Sequence, residues 1–189
     1  MNTRVVGAVR SVAEIENKLY VVFYDSSNIR VYDAHTFNER QTVAIQRVRK
    51  PRDIVACRFD RQLYVAEDYS IWRVSIDEHS YTNWLTTESP TNPFSVTSLS
   101  LTSRYLLVTS RESRTLRQYN VTDSQLLHFL QLPSYMRYPF HAVATIRHTF
   151  VIGHQGTSQD ESKFAVIDMF SFTILDKLMS FCNHPMDGN

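Results

Sequence analysis

The sequence predicts an all-β chain, a β-propeller of four four-stranded antiparallel blades. Three observations predict it. An apolar segment returns at spacings of 44, 43 and 44 residues, anchored on Leu19, Leu63, Leu106 and Phe150. Two further segments return in register with it, one before and one after the anchor. All of these runs are short, β-branched and aromatic, and polar turn residues such as Asp25-Ser26-Ser27-Asn28 separate them. A period of this length with four strands per unit is one propeller blade, which buries its faces only by stacking on neighbouring blades. A sandwich or barrel of evenly spaced strands explains the strand content but not three segments held in register. Helical repeats fit worse, because no apolar stripe at helical spacing persists for three turns.

The elements follow in chain order. The first strand of each unit lies behind Gly7, Pro51, Pro93 and Pro139, which stand 12, 12, 13 and 11 residues before the anchors. The second strands are Lys18 to Val22, Gln62 to Ala66, Tyr105 to Thr109 and Thr149 to Gly153. The third are Asn28 to Asp33, Ser70 to Ser75, Thr115 to Asn120 and Lys163 to Asp168. Each third strand ends on Asp33, Ser75, Asn120 or Asp168, whose side-chain oxygen can bond the backbone of the next turn. A weaker fourth strand is expected near Glu39 to Gln46, Tyr81 to Thr87, Gln125 to Leu132 and Phe172 to Phe181. The blades are thus about 5–47, 48–90, 91–134 and 135–181, with a disordered tail over 182–189.

Composition removes several function classes. The 189 residues are 43% hydrophobic and 12% aromatic, too rich for a disordered chain. With 20 Lys+Arg against 19 Asp+Glu the net charge is +1, which does not describe a strongly basic nucleic-acid protein. Cys57 and Cys182 make neither a disulfide framework nor a zinc spacing, so a reducing, cytoplasmic setting is expected. No apolar run approaches the roughly 18 residues of a membrane span, and no signal-type segment is expected at the start.

The second blade resembles an NHL-type repeat: Lys50-Pro51-Arg52-Asp53-Ile54-Val55, then Arg61 to Asp68 with Leu63-Tyr64-Val65-Ala66 inside it, then Ser70-Ile71-Trp72-Arg73-Val74. The other blades match less, and the glycine-rich turns of such repeats are missing, with four glycines in the chain. The resemblance implies a propeller, usually of six or so blades, without a diagnostic catalytic motif. Four blades leave three possibilities: a tight ring, self-association through open ends, or one part of a larger propeller, since an open arc exposes the apolar faces of its end blades.

The loops joining the fourth strand of one blade to the first of the next share a face with the loops joining second and third strands. That face gathers Arg47, Arg49, Lys50 and Arg52, then Phe94, then Tyr135, Arg137, Tyr138, Phe140 and His141, with Tyr69, Arg111 and Arg114 from the inner loops. Basic residues interleaved with aromatics suit a protein hot spot and suit base stacking equally. Arg47 to Arg52 also reads as a plain solvated turn, and Tyr135, Tyr138 and Phe140 as a seal between blades three and four. Among the seven histidines none has ligand spacing, His141 and His154 being the nearest to a pair, so no metal and no cofactor is expected. Cys57 reads as a small core residue, and no nucleophile elbow or phosphate loop is present.

The reading is a non-enzymatic module that binds a protein partner by its loop-rich face. RNA binding by the same face is the alternative that the NHL resemblance implies. A hydrolase or lyase working in the central channel is a third, with no ligand set to support it.

Overall fold

The computed structural model describes residues 8–78, 80–87, 94–145, 149–155, 162–168 and 170–176. Sixteen strands are present among them, in four antiparallel sheets of four, each sheet built from consecutive strands. Blade one is β1 (Val9–Ile15), β2 (Lys18–Phe23), β3 (Asn28–Asp33) and β4 (Glu39–Ala44). Blade two is β5 (Asp53–Cys57), β6 (Gln62–Glu67), β7 (Ser70–Ser75) and β8 (Tyr81–Thr86). Blade three is β9 (Ser98–Thr102), β10 (Tyr105–Ser110), β11 (Thr115–Asn120) and β12 (Leu126–Gln131). Blade four is β13 (Arg137–Ala144), β14 (Thr149–Gln155), β15 (Ser162–Asp168) and β16 (Ile174–Asp176). The fold is a four-bladed β-propeller. The tail and the second half of the expected final strand, residues 177–181, lie outside the described residues.

Because side chains alternate across a strand, each middle strand feeds two different interfaces. In β6, Leu63 and Val65 join Tyr20, Val22, Ile29 and Val31 of blade one, while Tyr64 and Ala66 join Leu99, Leu106, Val108 and Tyr119 of blade three. A third core joins Leu107 and Leu116 to Phe150, Ile152, Ala165 and Ile167 of blade four. Cys57 lies in the second of these, fully buried. Trp84 locks the same seam, standing edge-on to Tyr64 and Tyr119 and donating its indole N–H to the Val121 carbonyl at 3.2 Å. Among the described residues no such core joins blade four to blade one; the outward side of blade one carries a small cluster of its own, Val21, Phe23 and Tyr32.

The scarcity of glycine is met by other residues in left-handed backbone. The β1–β2 turn is a two-residue hairpin loop with Glu16 at φ 53° and Asn17 at φ 59°, the conformation that matches strand twist. The turns after the third strands of blades one, three and four are alike in their described residues. The amides of Phe37, Ser124 and Phe172, all at positive φ, return to the carbonyls of Asp33, Asn120 and Asp168. The side chains at those strand ends cap the same turns: Asp33 accepts from the His35 and Thr36 amides, Asn120 from Thr122, Asp168 from Phe170 and Ser171. Ser75 does so for the Glu78 amide in blade two.

Candidate functional site

Repetition turns equivalent positions into rings about the axis. In the innermost strands, Ser11 faces Val22, Asp53 faces Ala66, Ser98 faces Thr109 and His141 faces Gly153. Those partners all lie three residues beyond the repeat anchors. The four hub residues therefore occupy one register position in four blades.

Asp53 is the centre of that ring. It is 8% exposed, and a buried carboxylate demands partners. It accepts from the Ser11 hydroxyl of blade one at 2.5 Å, the Leu99 amide of blade three at 2.7 Å and the Ile54 amide of its own strand at 2.9 Å. His141 Nδ1 of blade four stands 3.9 Å from Oδ2, the oxygen that accepts from Leu99. One side chain thus reaches all four blades. The Ser98 hydroxyl is buried with no hydrogen-bond partner. Above these strands is an open axial cleft of about 370 Å³, lined by Ser11, Asp53, His141 and Val143 among others.

One residue nearer the loop-rich face, the same register carries Arg10, Arg52, Thr97 and Phe140. Two residues past the anchors' partners it carries Tyr24, Asp68, Arg111 and Gln155. A second cavity of about 310 Å³ opens among these residues, lined by Arg10, Arg52, Asp68, Thr97, Arg111 and Tyr138, with Ser95, Val96 and Glu112 completing it. Its cations are held in place. Arg52 pairs with Asp68 at 2.5 Å, and that bond with the carboxylate raises its already high pKa further. Arg10 donates to the Arg52 carbonyl at 3.2 Å and lies over the Tyr24 ring at 5.9 Å. Arg111 lies over the Tyr138 ring at 4.3 Å, and its amide bonds the Thr97 hydroxyl at 2.8 Å. Tyr138 itself sits at φ 46° within an irregular stretch of the β13–β14 ladder, which swings its ring outward over Arg111.

The expected face residues divide accordingly. Arg52, Arg111 and Tyr138 meet at the 310 Å³ cavity. Arg49, Lys50 and Tyr69 line a neighbouring groove of about 450 Å³ together with Glu67 and Asp68. Arg47, Arg137 and Phe140 are exposed outside both, and His141 turns to the axis. Arg114 is half-buried at φ 52°, its carbonyl accepting from Gln131 and Leu132. One expectation needs correction. Phe94 is not on the face: it is 5% exposed, in the core between blades two and three, with the Arg117 guanidinium 3.5 Å from its ring centroid. Tyr135 is half-buried against the core between blades three and four, in the sealing role.

His141 and His154 cannot share a metal. His141 pairs with Gly153, so the next residue, His154, points to the opposite side of the sheet. His154 is buried there, and burial pushes its pKa below the ordinary imidazole value. Among the described residues no group of three or more His, Cys, Asp or Glu could hold a metal ion. No helix among them is long and apolar enough to cross a membrane.

Arg10, Asp53 and Thr97 escaped the sequence reading. Their signal is the count back from the anchor through each hairpin turn, and that turn varies: two residues separate the paired ends of β1 and β2, four those of β5 and β6. Counting from the prolines, which ignores this difference, misaligns the hub.

No family model and no curated relative matches the chain. Among solved structures it is similar to Kuenenia stuttgartiensis hydrazine synthase, with a TM-score of 0.74 and 11% identity. The alignment covers 94% of this chain and 51% of the other, so the chain spans about half the length of that relative. At that identity the likeness concerns the fold alone. The class defined by sheet order and comparison together is a β-propeller; the NHL likeness of blade two remains a resemblance of motif.

Proposed function

We propose that this propeller is a non-enzymatic interaction module that binds a protein partner through its loop-rich face. The observation that carries the reading is the cavity where Arg10, Arg52 and Arg111 of three blades meet Tyr138 of the fourth. Loops on a rigid sheet scaffold are where binding residues concentrate. Arginine and tyrosine are the side chains that dominate interface energetics. Tyr69, Tyr138 and Phe140 add exposed aromatic surface beside the cavity.

The hub chemistry supports the non-enzymatic part. A serine nucleophile needs an imidazole to take its proton. Here the Ser11 hydroxyl donates to Asp53, and the carboxylate stands between hydroxyl and imidazole. Asp53 has its oxygens occupied by amides and a hydroxyl, as a structural carboxylate does.

RNA binding is the competing reading, and the acidic Glu67 and Asp68 beside Arg49 and Lys50 weigh against it. The test is selection of binding peptides from a displayed library by the folded chain. Tyr69→Ala and Tyr138→Ala should weaken the selected peptides, while Phe37→Ala and Phe59→Ala on the opposite face should not. Peptides indifferent to the loop-face variants would sink the reading. Binding of oligouridylate in preference to any peptide, with affinity falling steeply as salt rises, would transfer it to RNA.

A further inference from the structure

The cavity holds three guanidiniums but only one of them in an ion pair. Arg52 is committed to Asp68, whereas neither Arg10 nor Arg111 stands in a salt bridge among the described residues. Both are nevertheless fixed, the Arg10 guanidinium by the Arg52 carbonyl and the Arg111 guanidinium by the Tyr138 ring, while the Thr97 hydroxyl anchors the Arg111 main-chain amide. A positioned cation without a counter-charge is prepared for an incoming anion, because the ordering cost is already met by the fold. The Thr97 and Ser95 side chains line the same space and supply hydroxyls beside the guanidiniums.

The charge count selects the anion. Three arginines against Asp68 and Glu112 leave the lining one positive charge in excess. One carboxylate neutralises that excess; a run of phosphodiesters would bring further negative charge against Asp68 and Glu112. A planar carboxylate also matches the guanidinium fork, which can bind it through two parallel N–H···O bonds.

We propose that the cavity receives the carboxylate of an Asp or Glu side chain of the protein partner, held by Arg10 and Arg111. This rests on the reading of the loop-rich face as a protein-binding surface and names the group that the face recognises. Arg52 is a positioning residue: its ion pair with Asp68 screens that carboxylate, and its carbonyl orients Arg10.

The experiment follows the arginine side-chain N–H signals of the full chain by NMR during four titrations: acetyl-Gly-Glu-Gly-amide, its Gln counterpart, inorganic phosphate and a short oligouridylate. The Glu peptide should shift the Arg10 and Arg111 signals, and the Gln peptide should not. Arg10→Gln and Arg111→Gln should each weaken the Glu peptide roughly tenfold to hundredfold, the loss of one charge-assisted bond pair. Arg58→Gln, on the opposite face, should leave it unchanged. Equal binding of the Gln peptide, preference for phosphate or oligouridylate, or no shift at all would each overturn the proposal. Library peptides that bind the loop face without an acidic residue would also overturn it, while leaving the protein-binding reading standing.

Discussion

The two faces of the propeller employ arginine in opposite ways. On the face of the β1–β2 and β5–β6 turns, Arg61 bonds Glu16 and Asp77 at 2.6 and 2.8 Å, and Arg58 bonds Glu14 at 2.6 Å. Arg58 and Arg61 belong to blade two and reach the glutamates of blade one, so these charges staple neighbouring blades. Arg104 of blade three lies 4.0 Å over the Phe59 ring of blade two in the same manner. On the loop-rich face the Arg10 and Arg111 guanidiniums are steadied by rings and a carbonyl but stand in no ion pair among the described residues. Charge already neutralised serves the fold, and charge held without a partner is available to a ligand. Asp53 lies between the two regimes, a carboxylate wholly consumed by the blades themselves.

The largest effect tests that last point. Asp53→Ala leaves the Ser11 hydroxyl and the Leu99 amide without their acceptor and should cost about 1–3 kcal/mol, the usual loss when a buried hydrogen-bond donor is left unsatisfied. Urea unfolding measures it, and a loss under about 1 kcal/mol would show that the hub is dispensable. Next in size, Arg10→Gln and Arg111→Gln should leave stability within about 0.5 kcal/mol, as exposed positions do, while affinity for the acidic peptide falls. A stability loss matching that of Asp53→Ala would erase the contrast between the faces.

A smaller, pH-dependent effect comes from blade four. His154 is buried and its pKa lies below the ordinary 6.5, chiefly through desolvation. The unfolded chain therefore binds the proton first, and stability falls as pH drops below about 6.5 toward the depressed native value. His154→Gln should flatten the unfolding midpoint over that range; an unchanged pH slope would place the titration elsewhere. The smallest effect belongs to the opposite face. Arg61→Gln should lower stability slightly in dilute buffer and not at all in high salt, because exposed ion pairs are weak and screened. A loss that persists in high salt would mean that the staple is more than electrostatic.

Much of the fold was legible because its causes are local. Leu63-Tyr64-Val65-Ala66 alternates between two interfaces, and a strand buried on both sides must be apolar on both. Asp33, Ser75, Asn120 and Asp168 cap the turns that follow them within a few residues. The candidate site was legible only in outline. Arg52, Arg111 and Tyr138 stand out from their loops, yet Arg10 does not, because a bulged register and unequal hairpin turns hide its equivalence to Arg52. Phe94 looked like a face residue because a proline-bounded loop reads as exposed. It is buried because Arg117 of β11 stacks on it from the neighbouring strand layer.

The sequence by itself determined the strand order, the blade count and the turns, since each depends on alternation, spacing and side-chain to backbone bonds within a few residues. Only the tertiary structure decided which arginine meets which carboxylate. Arg61 and Glu16 are 45 residues apart, and Ser11 and Asp53 are 42 apart, so their pairing follows from blade stacking. The same stacking brings Arg10, Arg52 and Arg111 to one cavity, where long-range geometry determines whether a charge is neutralised inside the protein or left for a partner.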